Sequence, residues 1–283
     1  MNVNDHDSND KSLPWRNPPL TKFHIASGVS IIVFTGLFWI NYQFALAFAV
    51  VYLFLIAIAP YFLKLAFFLP IINKAPQSTS QIALTFDDGP DPAVTEPLLD
   101  LLKRYQVKTT FFVTGSKAKE SSHLIRRMIQ EGHEIGNHTQ HHDIFLMLRG
   151  KRTIRREIED CQDQLISGGI KTFAFRPPVG ITNPRLHNIL LQLGMYCVGF
   201  SCRPRDFGNR KTKDLGNRIL SKIKGGDIVL LHDCKPYPEF SVADWLSEVE
   251  RLMNGLKQKQ LQAVLLSTLI NRPVMEKISH EIF

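Results

Sequence analysis

Beyond residue 80, short apolar runs alternate with segments of helical period, and that alternation constrains the fold more than any other feature. Runs at 82–86, 109–113, 133–137, 172–175, 196–201, 227–232 and 262–266 have strand length. Between them, Val94, Leu98, Leu99 and Leu102 share one helical face. Leu124, Ile125, Met128 and Ile129 share another, closed by Gly132, and Ile154, Ile158, Cys161 and Leu165 form a third, closed by Gly168 and Gly169. Asn183-Pro184 opens a fourth, because proline suits the first turn of a helix. Strand and helix in strict alternation predict an α/β fold with a parallel sheet, either an incomplete barrel or an open sheet.

The reactive side chains fall at one end of that sheet. Asp87 and Asp88 follow the first strand directly, and His138 follows the third. Arg176 follows the fourth, Asp206 the fifth, and His232 ends the sixth. In a parallel sheet all the carboxyl ends lie at one mouth, where α/β folds build their sites.

Asp88, His138 and His142 form a candidate metal triad. Two imidazoles and one carboxylate leave coordination positions open, as a catalytic site requires. A helix or tight turn after His138 would project 138 and 142 the same way, with His141 as the competing ligand. Asp87 is then free to act as a general base. The plain alternative for Asp87-Asp88-Gly89-Pro90 is a turn followed by a helix cap. Arg176 has the chemistry to tether Asp87, where a surface arginine is the simpler reading. His232 closes a very apolar run, an environment that tunes an acid able to protonate a leaving amine, or one that merely buries a core histidine. Asp206 could hold its protonated form.

From about 80 to 270 these residues resemble the polysaccharide deacetylases, carbohydrate esterase family 4, with the NodB homology domain. Thr85-Phe86-Asp87-Asp88-Gly89 is similar to the first motif of that family and His138-Thr139-Gln140-His141-His142 to the second. Arg176-Pro177-Pro178-Val179-Gly180 resembles the third, Ser201 to Phe207 the fourth, and Leu230-Leu231-His232 the fifth. The resemblance implies a distorted (β/α) barrel of about seven βα units and a metal-dependent N-deacetylase. It implies Asp87 as base and Asp88, His138 and His142 as ligands of one divalent ion, zinc first, with cobalt, nickel or manganese as alternatives. It implies Arg176 as the group positioning the base, and Asp206 as the group tuning His232 as acid. The Val179 backbone N–H would help bind the oxyanion, and Leu230 and Phe207 would line the acyl pocket. Three positions depart from the pattern. Val179 stands where the family has Tyr or Phe, Phe207 where Trp is common, and Arg203 where many members have Asp.

The first 75 residues have another character. Residues 1–22 are polar, Phe23 to Ile40 is almost uncharged and apolar, and Asn41-Tyr42-Gln43 interrupts before Phe44 to Leu63 is apolar again. A spanning helix takes roughly 20 apolar residues, about 17 at the low end. Two spans joined by a tight turn fit, as do one span with an interfacial helix, one long tilted span, or a buried soluble hairpin. Pro60 and Pro70 limit whatever helices form. The expected organisation is a polar tail at 1–22, a membrane segment at 23–72, a linker at 73–80, the catalytic domain at 81–270 and a C-terminal tail at 271–283. Lys11, Arg16 and Lys22 precede the apolar segment and Lys64 and Lys74 end it. Two spans would then put both ends, and the large domain, on the cytoplasmic face of a bacterial cell membrane, whereas a single span would place the domain outside.

The formal net charge is +8, which suits anionic lipid or an anionic substrate as well as solubility. No basic stripe interleaved with aromatics and no finger or helix-turn-helix pattern points to nucleic acid. Cys161, Cys197, Cys202 and Cys234 lack the paired spacing of a metal or redox motif and read as free thiols. The expected function is a membrane-anchored hydrolase removing an N-acyl group, acetyl first, from an amino sugar of a polysaccharide or of a lipid-linked glycan. A catalytically silent glycan-binding protein and an O-acetyl esterase on the same fold are the rivals.

Overall fold

The computed structural model describes residues 20–61, 65–237 and 240–278. The expected polar tail up to residue 19 and the last residues of the expected C-terminal tail lie outside them.

The chain opens with two apolar helices, α1 (Lys22–Ile40) and α2 (Tyr42–Ile58). Asn41 separates them. Its N–H donates to the Leu37 carbonyl, ending α1, while its side chain accepts from the Gln43 N–H and starts α2. The helices lie side by side, with a Ser27–Tyr52 hydroxyl contact of 2.8 Å. Ala45 is their only buried described residue, and Ile32, Phe38, Trp39, Phe44, Leu53 and Phe54 stand exposed. By length and composition α1 alone passes for a membrane span, and α2 is a shorter apolar helix.

Pro60 sits in a single 3-10 turn that ends α2. Residues 65–72, which the sequence assigns to the membrane segment, belong instead to the domain. Phe68 and Leu69 are buried against Leu146, Met147 and Leu186, and β1 (Ile71–Ile72) pairs with a later strand. Their hydrophobicity serves a protein core, which composition alone does not distinguish from a bilayer.

The domain is a curled, largely parallel sheet with flanking helices. Its strands are β2 (Gln81–Asp87), β3 (Thr110–Val113), β4 (Glu134–Asn137), β5 (Ile170–Thr172), β6 (Ala174–Phe175), β7 (Tyr196–Val198), β8 (Ile228–His232), β9 (Gln262–Val264) and β10 (Met275–Lys277). The order across the main sheet is β1-β7-β6-β4-β3-β2-β8, with β9 beside β2. It forms a half-barrel rather than a continuous barrel. Its edges approach only through single bridges, Lys74 with Asp227 and Cys202 with Val229. The edge strand β1 is only two residues long and offers β8 too few ladder bonds to close it.

The intervening helices are α3 (Pro92–Arg104), α4 (Gly115–Glu120), α5 (Ser122–Gln130), α6 (Lys151–Ser167), α7 (Pro184–Gln192), α8 (Leu215–Leu220), α9 (Val242–Gln258) and α10 (Leu266–Ile270). β2 is buried on both faces, as a central parallel strand should be. Ile82, Leu84 and Phe86 face the cluster formed with α3, α5, α8 and α9, while Ala83 faces the opposite cluster. Register places Asp87 beside Phe112 of β3 and His232 of β8, which brings the strand ends to one rim.

Two further corrections concern the ends of elements. The expected strand 172–175 is split, because β5 leaves the main sheet to pair antiparallel with β10. β10 falls in the segment expected to be a tail. The helix α9 went unread, although Ser241 and Asp244 form a reciprocal capping box at its start. The four cysteines are free, three of them buried.

Candidate active site

Each reactive side chain is held by a local device that the chain builds at a strand end. Asp87 is the last residue of β2, and Asp88 turns away from it with a left-handed backbone, φ 74°. The Lys117 ammonium donates to the Asp88 carbonyl at 2.7 Å. Gly89 is required by space, because a Cβ there would lie 2.0–2.3 Å from the buried Asp233 carboxylate. Asp233 accepts a hydrogen bond from the Thr95 hydroxyl at 2.8 Å and so packs the turn against α3.

The second segment is a tight turn and not a helix. Thr139 and His142 both have positive φ, 70° and 55°. The Thr139 N–H donates to Asn137 Oδ1 at 3.0 Å, and the His142 N–H donates to Thr139 Oγ1 at 3.1 Å. The turn swings His138 and His142 to one side. It sends His141, the competing ligand, to the surface, where Glu157 takes its Nδ1 at 2.8 Å and its N–H at 2.9 Å.

His138 Nδ1 lies 2.8 Å from the Arg176 carbonyl. A carbonyl only accepts, so Nδ1 carries the proton and Nε2 keeps its lone pair for a metal. That Nε2 is 3.3 Å from Asp88 Oδ1, and His142 Nε2 is 3.0 Å from the same oxygen. One ligand atom from each of the three lies within 4.8 Å of the others. Two imidazole nitrogens and a carboxylate oxygen, with the ring tautomer already set, fit one divalent cation. Burial opposes ionisation of Asp88, but its close contacts with the His138 and His142 rings and the charge of His232 outweigh it, holding the carboxyl well below its usual value of 3.8.

Arg176 is buried, and its Nη1 donates at 2.7 Å both to Asp87 Oδ1 and to the Thr85 hydroxyl. Its Nη2 donates to the Gly199 carbonyl at 2.9 Å, and the guanidinium lies 4.0 Å from the Phe112 ring centre. Thr85 passes its own proton to the Val229 carbonyl at 2.7 Å. The arginine is therefore fixed on four sides and holds one oxygen of Asp87, leaving Oδ2 toward the cavity. Across the site, His232 Nδ1 meets Asp206 Oδ2 at 2.8 Å. Burial works against the imidazolium, yet the charge and hydrogen bond of Asp206, reinforced by Asp88 and Asp87, push it up to about 9.

All ten residues singled out by the sequence line one cavity of about 740 Å³: Asp87, Asp88, His138, His142, Arg176, Val179, Asp206, Phe207, Leu230 and His232. Val179 has a positive φ of 50°, in a 3-10 turn, and its side chain is exposed. Phe207 also faces solvent, whereas Leu230 is buried.

The family model described as "Polysaccharide deacetylase" matches residues 74–198. A Bacillus cereus protein named peptidoglycan-N-acetylglucosamine deacetylase is 35% identical over 162 residues, covering 56% of this chain and 76% of that protein. The chain belongs to the polysaccharide deacetylase family. A Sinorhizobium fredii chitooligosaccharide deacetylase is 32% identical over 179 residues, 62% of this chain and 83% of the relative. Among solved structures, a peptidoglycan N-acetylglucosamine deacetylase in complex with 4-naphthalen-1-yl-N-oxidanyl-benzamide superposes with a TM-score of 0.66. It is 27% identical, over 74% of this chain and 94% of that one. This polysaccharide deacetylase is a metal-dependent hydrolase of the carbohydrate esterase family 4 type, acting on a carbon–nitrogen bond. The family-model match ends before Asp206 and His232, whose place in the site is read from their geometry.

Sequence reasoning missed the supports. Thr85 carries Arg176, Asp233 seats the Asp87–Gly89 turn, and Asn137 shapes the histidine turn. Asn137 and Asp233 adjoin residues that were singled out and Thr85 lies two before Asp87, but nothing in their spacing tells a support from a bystander. Arg205 and Arg210 line the same cavity as Arg203, and the arginine density of 203–210 was the available signal.

Proposed function

We propose that this polysaccharide deacetylase is a membrane-anchored enzyme that hydrolyses the N-acetyl group of an amino sugar in a glycan. One observation carries the reading: the Asp88/His138/His142 triad opens into the same cavity as an arginine-held Asp87 and an Asp206-held His232. Asp88, His138 and His142 hold the cation, zinc being the ion best suited to two imidazoles and a carboxylate, with cobalt, nickel or manganese as alternatives. When bound, the cation supplies Lewis acidity, polarising the acyl carbonyl and acidifying water.

The chain's own residues do the rest. Asp87, oriented through Oδ1 by Arg176, takes a proton from the attacking water at its other oxygen. The Val179 backbone N–H helps receive the charge that develops on the carbonyl oxygen. His232, with Nδ1 held by Asp206, delivers a proton from Nε2 to the departing nitrogen. Leu230 and Phe207 border the acetyl methyl. Water and amide give acetate and a free amine. An acid kept protonated beside the leaving group favours the amide over an ester, because an amine leaves only when protonated while an alkoxide needs less help. The relatives named for peptidoglycan N-acetylglucosamine and chitooligosaccharides support an N-acetylated hexosamine as the sugar.

The paired helices α1 and α2 support the anchor. Their unburied faces are apolar on every side, and the turn at Asn41 carries no charge. Lys22 and Lys74 flank the hairpin, which favours the cytoplasmic side for the domain.

The test is acetate release by the detergent-solubilised full chain from N-acetylglucosamine oligomers and peptidoglycan, with added zinc or cobalt, beside Asp88→Ala. Metal-dependent release that the variant loses supports the reading. Glycan binding by metal-loaded, folded protein without turnover would replace it with the silent binding protein. Release from O-acetyl substrates only would replace it with the esterase.

A further inference from the structure

The mouth of the cavity carries a charge that neutral sugar chemistry does not call for. Arg203, Arg205 and Arg210 all line it and all stand exposed. Among the described residues none of the three forms an ion pair with a carboxylate. Arg203 lies over the Phe200 ring at 5.3 Å and Arg210 over the Tyr237 ring at 5.9 Å. The acidic groups of the cavity are already committed, Asp87 to Arg176, Asp88 to the histidines and Asp206 to His232.

The loop that bears the arginines is held firmly by its backbone. Arg205, Phe207, Gly208 and Asn209 all have positive φ. Asn209 donates to the carbonyls of His232 and Cys234 at 2.8 and 2.7 Å. Lys222 donates to the Arg203 carbonyl at 3.2 Å, and Arg218 to the Pro204 carbonyl at 3.0 Å and to that of Lys211. Fixing the main chain sets where the three side chains start at the mouth, and a planar guanidinium is the side chain best matched to a phosphate.

Beside this charge the mouth is apolar. Ile144, Val179 and Phe207 line it and are each at least half exposed. Ile144 begins a stretch that returns to the helical hairpin. Leu146 and Met147 are buried with Phe68 and Leu69, and Phe23 of α1 and Ile56 of α2 pack on the same cluster. The cavity mouth and the root of the apolar hairpin are thus joined by one short loop, on which Phe145 and Leu148 are also exposed.

We propose that Arg203, Arg205 and Arg210 form an anion-binding rim that receives a phosphate carried by the N-acylated amino sugar, and that this phosphate links the sugar to a lipid. The proposal rests on the deacetylase reading for the reaction and adds the class of substrate. A phosphate between sugar and lipid would sit at the rim, with the sugar inward at the metal triad and the lipid chain against the exposed apolar residues.

The experiment compares the full chain with the triple variant Arg203→Gln/Arg205→Gln/Arg210→Gln. Three substrates are used: a polyprenyl-phosphate-linked N-acetyl amino sugar in neutral vesicles, the same sugar on a nucleoside diphosphate, and uncharged N-acetylglucosamine oligomers. Three exposed charge contacts are together worth about 10- to 100-fold. The triple variant should therefore lose about that factor in preference for the lipid-linked sugar over the uncharged one, mainly in KM. A triple Arg→Lys variant should recover part of it at low ionic strength. A stronger preference for the nucleotide sugar would keep the rim and overturn the lipid. Equal losses on charged and uncharged substrates would overturn the rim. Binding of the polyprenyl-phosphate sugar to the metal-free chain is measured in parallel. If wild type releases no acetate from any substrate, the deacetylase reading fails. Binding that the triple variant loses would still support the rim, and binding that it keeps would overturn it.

Discussion

Asp206→Asn isolates the proton chemistry of the site in one atom exchange. Asp206 Oδ2 sits 2.8 Å from His232 Nδ1, with both side chains largely shielded from water. In the intact site burial disfavours the imidazolium, and Asp206 leads the charges that outweigh it, raising the group from 6.5 to about 9. That rise corresponds to roughly 3 kcal/mol of preference for the protonated ring. Because the folded value lies above the unfolded one, the stabilisation is complete below pH 6.5 and disappears as pH climbs through about 9. An amide keeps the shape but removes the charge, so burial regains the upper hand. The His232 value should fall by about 2 units or more, cushioned by what Asp88 and Asp87 still supply. The direct readout is NMR titration of the His232 ring in metal-free protein, where no cation competes. Loss of a positioned general acid costs about 10²- to 10⁴-fold, so kcat should fall by at least the lower figure at pH 8. A ring that still titrates near 9 in the variant would refute the assignment of its shift to Asp206. Undiminished kcat would refute the role of the pair in turnover.

Other perturbations probe the supports. Arg176→Met leaves the buried Asp87 oxygen unpaired and should destabilise the domain by about 3–5 kcal/mol, read by chemical denaturation. Gly89→Ala puts a methyl into the Asp233 carboxylate and should cost about 1–3 kcal/mol, partly recovered by adding Asp233→Ala. Burial, against the pull of Thr95 and Lys117, raises Asp233 from 3.8 to about 7. Ionising it therefore weakens the fold as pH rises from about 4 through 7. Asp233→Asn should raise Tm over wild type, and by clearly more at pH 8 than at pH 5. An equal gain at both values would refute the burial argument.

The pattern of apolar residues carried much of the domain. Every expected strand has an observed counterpart, and β2, β3, β4 and β8 match within two residues. Period and run length are local properties, and side-chain burial on a central strand enforces them. The order of strand and helix also sufficed to gather the reactive groups at one rim, since parallel strands share a polarity. The apolar stretch at 65–72 shows where composition stops being informative. Phe68 and Leu69 read as membrane residues but are core residues, because burial against Leu146 and Leu186 satisfies the same chemistry. The short β5–β10 pairing was invisible for a related reason: strands of three residues have no period to read.

Within the site, the identities of Asp87, Asp88, His138, His142 and His232 were legible because reactive residue types cluster at strand ends. Their orientations were not. A spacing of four from His138 to His142 fits a helix equally well. The left-handed backbone at Thr139 and His142, fixed by Asn137, is what turns both rings inward and His141 outward. Arg176 and Asp87 are 89 residues apart, and their contact depends on β2 and β6 taking places in one sheet. Sequence is a record of local propensity, so it named the elements and the chemistry they carry. Which nitrogen faces which oxygen, and that three exposed arginines share a mouth with an apolar rim, followed only when long-range packing set the direction of each side chain.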